Sequence, residues 1–149
     1  MSQNHFETEE LLGYIMRQKH KIIFIDGPSN CGKTNMLKNL KACVYNTIMV
    51  SGENFYSTII KNIEYENPFE LDREAEFLVI EDLDYFGGRP RTEKFMAHIL
   101  SLLSNDVVVV VSGINIQRKM ESLMKHLHRY EYFVKVVHNG VWNKNIKGD

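Results

Sequence analysis

The octapeptide Gly27-Pro28-Ser29-Asn30-Cys31-Gly32-Lys33-Thr34 constrains this chain more than any other stretch. It matches the pattern G-x-x-x-x-G-K-[ST]. An apolar run, Lys21 to Ile25, precedes it and reads as a short buried strand. From Thr34 a helical pattern begins, with Met36, Leu37, Leu40 and Cys43 on one face. A glycine-bounded turn between strand and helix aims backbone N–H groups at one point, and that point attracts phosphate. In such a loop the Lys reaches the β- and γ-phosphates, and the Thr hydroxyl goes to Mg²⁺. Gly27 through Thr34 are therefore expected to hold the phosphates of ATP or GTP, with Lys33 catalytic and Thr34 a metal ligand. Cys31 reads as a small residue tolerated inside the loop, a redox-sensitive thiol being the alternative.

Strand and helix patterns alternate along the rest of the chain. Asn46 to Val50 is a second strand. Glu53 to Ile63 is helical, with Phe55, Ile59, Ile60 and Ile63 inward, and an acidic connection interrupted by Pro68 covers Glu66 to Glu76. Phe77 to Ile80 is a third strand, and Gly87-Gly88-Arg89-Pro90 a loop. Thr92 is the expected N-cap of a helix burying Phe95, Met96, Ile99, Leu100 and Leu103. Val107 to Val111 is a fourth strand, and Ile116, Met120, Leu123, Met124 and Leu127 mark one further helix. Tyr132 to Val137 is a fifth strand, and residues 138–149 read as a polar tail. Before the first strand, Glu9 to Arg17 form a helix with Leu11, Leu12, Tyr14 and Ile15 packing on the core. Near-continuous apolar strands separated by helices predict a parallel sheet covered on both faces. Right-handed crossovers make it a three-layer α/β sandwich. The whole chain, 1–149, fits one domain with a core that needs no disulfide or structural metal.

Phe77-Leu78-Val79-Ile80-Glu81-Asp82 carries the second chemical signal: four apolar residues ending in two acids. After a phosphate loop this is the Walker B position, where one carboxylate holds Mg²⁺ and the next orients the attacking water. Register assigns Glu81 to the metal and Asp82 to the water, with Asp84 a spare for either role.

Composition narrows the partners. A formal net charge of -1 excludes gripping nucleic acid by bulk charge. Lys119, Lys125, Arg129, Lys135, Lys144 and Lys147 make the C-terminal part locally basic and read as a solvated face. Trp142 is expected to dock on the domain. Two cysteines without metal-type spacing predict a reduced, cytoplasmic protein. The acidic start, Met1 to Glu10, reads as no signal peptide. The longest apolar stretch, Val107 to Val111, is far short of a membrane span. His126 and His128 are too close to share a helical face, so no histidine metal site is expected.

Several segments together resemble the AAA+ ATPase core of the bacterial replication initiator DnaA family. Beyond the P-loop these are Val50-Ser51-Gly52-Glu53-Asn54-Phe55, Leu78 to Phe86 followed by Gly88-Arg89-Pro90-Arg91-Thr92, Val108 to Ser112, and Leu127-His128-Arg129-Tyr130-Glu131. The resemblance runs from about Lys21 to Val137 and implies a P-loop NTPase with five parallel strands in the order 5-1-4-3-2. It places Arg129 at the arginine-finger position, where a guanidinium reaches the γ-phosphate held by a neighbouring subunit; the alternative is a surface residue pairing with Glu131. It places a polar sensor after the fourth strand, at Ser112 or Asn115, with Gly113 in one register. Only Asn4 to Phe6 stand where the family's adenine-contacting linker would be. Against that family pattern the sequence reads as stopping after the fifth strand, and no helical lid or helix-turn-helix domain is expected within residues 1–149.

The resemblance implies an ATP- and Mg²⁺-binding protein, a weak ATPase acting in or regulating DNA replication initiation, with slow or partner-dependent hydrolysis. Its partners would be replication proteins, a full-length AAA+ protein or further copies of itself, any DNA contact being weak and no membrane being involved. The alternatives are a non-catalytic adaptor or inhibitor of a full-length AAA+ initiator or helicase loader, a viral superfamily 3 helicase-like fragment, and a small-molecule kinase.

Overall fold

A computed structural model describes residues 5–64 and 74–145. The chain opens with β1 (His5–Phe6), α1 (Thr8–Met16) and β2 (Ile22–Asp26). It continues through α2 (Lys33–Cys43), β3 (Thr47–Ser51), α3 (Gly52–Glu64) and β4 (Phe77–Glu81). A 3-10 turn (Leu83–Phe86), α4 (Pro90–Leu103) and β5 (Val108–Gly113) follow. Last come α5 (Ile116–Lys119), α6 (Glu121–Leu127), β6 (Phe133–His138) and β7 (Trp142–Asn145).

The sheet order is β1-β7-β6-β2-β5-β4-β3. The five parallel strands β2 to β6, counted along the chain, therefore lie in the order 5-1-4-3-2, as the resemblance implied. Ile22 at the start of β2 is opposite Val109 on one side and Phe133 on the other. Side chains alternate across the sheet. Ile22 and Phe24 enter a core under α3, α4, α5 and α6, while Ile23 and Ile25 enter a second core under α1 and α2. Burial on both faces is why these strands are written almost entirely in Ile, Val, Leu and Phe. Among the described residues no helix is long and apolar enough to cross a membrane.

The residues expected to form a polar tail include a strand. β6 turns at Asn139 and Gly140, the latter at φ 110°, and returns antiparallel as β7. β7 in turn pairs antiparallel with β1, His5 opposite Asn143 and Phe6 opposite Trp142. Trp142 is only 2% exposed, packed in the core under α1 and α2 with the His138 ring 4.7 Å away. It docks on the domain, as expected.

Other boundaries moved for local reasons. Thr92 is not the N-cap of α4. The helix starts at Pro90, whose fixed φ suits a first helical position. The Glu93 carboxylate accepts from the Arg89 N–H at 2.8 Å, and the Arg89 carbonyl accepts from Glu93 N–H at 2.9 Å. The single helix expected after β5 breaks at Met120 (φ -129°, ψ 55°), giving α5 and α6, although all five of its apolar positions are buried. Cys43, expected on the buried face of α2, is exposed because the helix ends there and half-buried Val44 packs instead. Lys135, expected on a solvated basic face, is buried on β6 and donates to Gln117 Oε1 at 2.8 Å. Asn4, residues 65–73, the side chains of Ile59, Ile60 and Ile63, and residues 146–149 lie outside the described residues.

Candidate nucleotide-binding site

The loop from Gly27 to Thr34 leaves β2 and enters α2 at the C-terminal edge of the parallel strands, where ligands of open α/β sheets bind. Gly32 caps α2 at φ 100°, ψ 8°, a left-handed geometry that a side chain would strain. With that turn made, Lys33 becomes the first helical residue and its side chain folds back under the loop, 8% exposed. Its Nζ donates to the carbonyls of Gly27 at 2.6 Å and Pro28 at 2.8 Å, and lies 3.7 Å from Cys31 Sγ. Among the described residues its hydrogen-bond partners are thus two backbone carbonyls and a sulfur, with no carboxylate.

A cleft of about 470 Å³ opens over this loop. Ser29, Asn30, Gly32, Lys33, Thr34 and Asn35 line one wall, and Asp82 and Ile114 line the other. The structure thus brings together Lys33, Thr34 and Asp82 as the sequence suggested. Asn35 and Ile114 were not anticipated. The signal for Asn35 was its place in the first turn of α2, where backbone N–H groups are unsatisfied. Nothing in the sequence pointed to Ile114.

Glu81 ends β4 on the strand face shared by Phe77 and Val79, the side of α2. Burial pushes its carboxyl pKa up, the neighbouring Asp82 charge adds to that, and Lys38 of α2 opposes it. Glu81 Oε1 is buried with no hydrogen-bond partner among the described residues, which is unusual for a carboxylate oxygen. Asp82 takes a left-handed backbone (φ 60°, ψ 44°) that turns its side chain into the cleft. Thr34 and Asp82 line the cleft, whereas Glu81, the residue before Asp82, does not. A threonine hydroxyl and the Asp82 carboxylate, with an unsatisfied Glu81 oxygen one residue away, are a donor set that fits Mg²⁺, which takes one or two carboxylates and completes its shell with phosphate oxygens and water.

The raised Glu81 pKa has a testable consequence. The folded state holds the proton more tightly than the unfolded chain, so stability falls as pH rises from the ordinary carboxylate pKa through the raised one. Urea midpoints measured from pH 4 to 7 are expected to show this fall in the wild type and to lose it in Glu81→Gln. Parallel pH profiles for the two proteins would contradict the assignment.

Other candidates lie elsewhere. Asp84, the spare acid, does not line the cleft: its Oδ1 accepts from Ile114 N–H at 3.3 Å and its Oδ2 from Lys119 Nζ at 3.1 Å. Ser112 is buried within β5. Asn115, at φ 55°, lines a neighbouring cleft of about 710 Å³ with Asp26, Gly27, Pro28, Gln117, Arg118 and His138. Ile114 belongs to both clefts. Arg129 is exposed beyond the end of α6 and lines neither cleft.

Comparison with known proteins agrees with this layout. The family model described as the bacterial DnaA ATPase domain matches residues 11–136. The chain belongs to that family. The chromosomal replication initiator DnaA of Nautilia profundicola is 30% identical over 89 residues, 56% of this chain and 20% of that protein. The structure of AMPPCP-bound DnaA from Aquifex aeolicus superposes with a TM-score of 0.59 at 21% identity, covering 85% of this chain and 44% of that one. A DnaA bound to AMPPCP and single-stranded DNA gives 0.55 at 22% identity, covering 86% and 43%. At these identities the structural likeness speaks for the fold. The chain spans about a fifth of the length of the curated DnaA relative and under half of the DnaA structures.

The AAA+ core read from the P-loop, the Walker B strand and the Arg89-to-Thr92 stretch is therefore a DnaA-type ATPase domain. Its parallel strands keep the family order, and β7 and β1 extend the sheet beyond β6.

Proposed function

We propose that this DnaA-type domain binds ATP with Mg²⁺ over Lys33 and acts as a slow, switch-type ATPase in, or in control of, DNA replication initiation. The observation that carries this reading is the Lys33 ammonium, which among the described residues has no carboxylate partner, in a cleft whose other wall holds Asp82. The likeness to DnaA proteins that carry AMPPCP supports a nucleotide as the occupant.

Lys33 would draw the β- and γ-phosphates, and backbone N–H groups of the loop would fix the chain of phosphates in register. Thr34, Glu81 and Asp82 would hold Mg²⁺, whose charge offsets the negative charge of the phosphates. Asp82, facing the cleft from the opposite wall, would orient water toward the terminal phosphate. Arg129 lines neither cleft of its own chain, which suits a guanidinium supplied to a second subunit or a partner. Partners would be replication proteins or a full-length AAA+ protein in the cytoplasm, and any contact with DNA would be weak for a chain of net charge -1.

Phosphate release per molecule is expected to rise with protein concentration in the wild type. In Arg129→Ala it is expected to be at least about tenfold lower and flat, with ATP binding retained. Fast turnover by a monomer, independent of concentration, would refute the switch reading.

A further inference from the structure

The short segment Gly113–Ile116 is the wall between the two clefts, and two carboxylates grip it from opposite sides. From the Walker B side, Asp84 Oδ1 accepts the Ile114 N–H at 3.3 Å. From the phosphate-loop side, Asp26 Oδ2 accepts the buried Ile116 N–H at 3.1 Å. Asp26 directly precedes Gly27, and Asp84 lies two residues beyond Asp82. The fit is close: a Cβ on Gly113 would lie 2.7 Å from Asp84 Oδ1 and 2.6 Å from Ile116 Cδ1, so a larger residue there would push the Asp84 or Ile116 side chain aside. Asn115, between the two gripped amides, is held in a left-handed backbone that is uncommon for a residue with a side chain.

We propose that Asp84 and Asp26 are positioning residues that clasp the Ile114 corner, and that this clasp sets the preference of the site for a nucleoside triphosphate over a diphosphate. The inference rests on the nucleotide reading given above. Ser29 to Asn35 form the wall that both nucleotides would share. Asp82 and Ile114 form the opposite wall, which a third phosphate would approach and a diphosphate would not. Asp84 ties these two residues together, since it sits on the 3-10 turn that follows Asp82 and bonds the amide of Ile114. Lys119 of α5 pairs with the other Asp84 oxygen, and Gln117 of α5 receives Lys135 of β6, so a shift of the corner is passed on to α5. Asp26 completes the clasp from the strand that carries the phosphate loop.

Asp84→Ala removes one jaw. Asp84→Asn keeps an oxygen for the Ile114 N–H and loses only the exposed pairing with Lys119. Titration of ATP and ADP, with amide hydrogen exchange followed at Ile114 and Ile116, separates the two variants. In Asp84→Ala the ratio of ATP to ADP affinity is expected to fall about tenfold, with ADP affinity changed less than about threefold. The Ile114 amide should exchange at least about tenfold faster while Ile116 stays protected. Asp84→Asn is expected to restore both quantities to near wild type. A preference for ATP that survives unchanged in Asp84→Ala, or an Ile114 amide that stays protected, would overturn the clasp while leaving nucleotide binding intact. A wild type that binds neither nucleotide would overturn the nucleotide reading itself, and the inference with it.

Discussion

Lys33→Ala is expected to weaken ATP binding by about 100-fold while leaving the chain folded. A charge-assisted bond to phosphate in a partly enclosed site contributes about 1.5–3 kcal/mol, and Lys33 would make more than one such contact. The remaining energy would come from loop N–H groups that the substitution leaves in place. The Pro28 carbonyl released by the lost ammonium is on an exposed residue and can turn to water, while the buried Gly27 carbonyl loses a partner, a loss of about 1–3 kcal/mol that lowers the melting temperature without unfolding the domain. Calorimetric titration of ATP and a thermal melt on the same samples check both halves of the prediction. Unchanged affinity in a folded variant would mean that the phosphates do not lie over Lys33. Absence of nucleotide binding by the wild type, with partner capture indifferent to Lys33→Ala, would favour the non-catalytic adaptor.

Trp142→Ala is expected to destabilise the domain by about 3 kcal/mol, toward the lower end of the range for removing a buried aromatic. The indole is the one large apolar side chain of β7. It is packed in the core under α1 and α2, edge-on to the His138 ring. Without it, β7 keeps only its ladder bonds to β6 and β1, and the strand is too polar to hold the sheet edge by burial. Urea denaturation monitored by circular dichroism gives the loss directly, and Trp142→Phe should recover more than half of it. A loss below about 1 kcal/mol would mean that the hairpin adds little to the fold, as for a surface substitution.

These two residues mark how far the sequence could be read. Lys33 was legible because phosphate chemistry fixes spacing: a loop that wraps a phosphate chain after a buried strand needs its two glycines, its lysine and its threonine at set intervals. The position of Asp82 was legible for a similar reason: four apolar residues ending in two acids mark a strand end at the sheet edge that faces the loop, and Asp82 lines the cleft there. β7 was not legible. Trp-Asn-Lys-Asn has one inward apolar residue and polar neighbours, which is what a strand near a sheet edge shares with a tail. Lys135 misled for the opposite reason. Its charge suggested solvent, although it lies inside the apolar run Phe133 to Val137, and burial became tolerable through Gln117 with Asp26 nearby. Burial lowers its pKa, and Asp26 offsets part of that. Asp26 was the deeper omission, and Asp84 was read only as a spare acid for the metal or the water. One acid closing the first parallel strand gave the same signal as Glu81 closing β4, but its partner was the backbone of Ile116, 90 residues away, and no local pattern announces a bond of that kind.

The pairing of β1 with β7 makes a seam between the first and last described strands. On a ribosome β1 emerges early and its partner β7 only after all five parallel strands, directly behind β6, so the edge of β1 stays unpaired while those strands are made. Closure of that edge is then a late event in synthesis, and a pause before it would leave an open strand edge exposed to other chains. The same seam brings residues 5 and 143 side by side. In a permutant of residues 5–145 alone, with a short linker across this seam and new ends in an exposed turn, β7 would be made just before β1 and that wait would disappear.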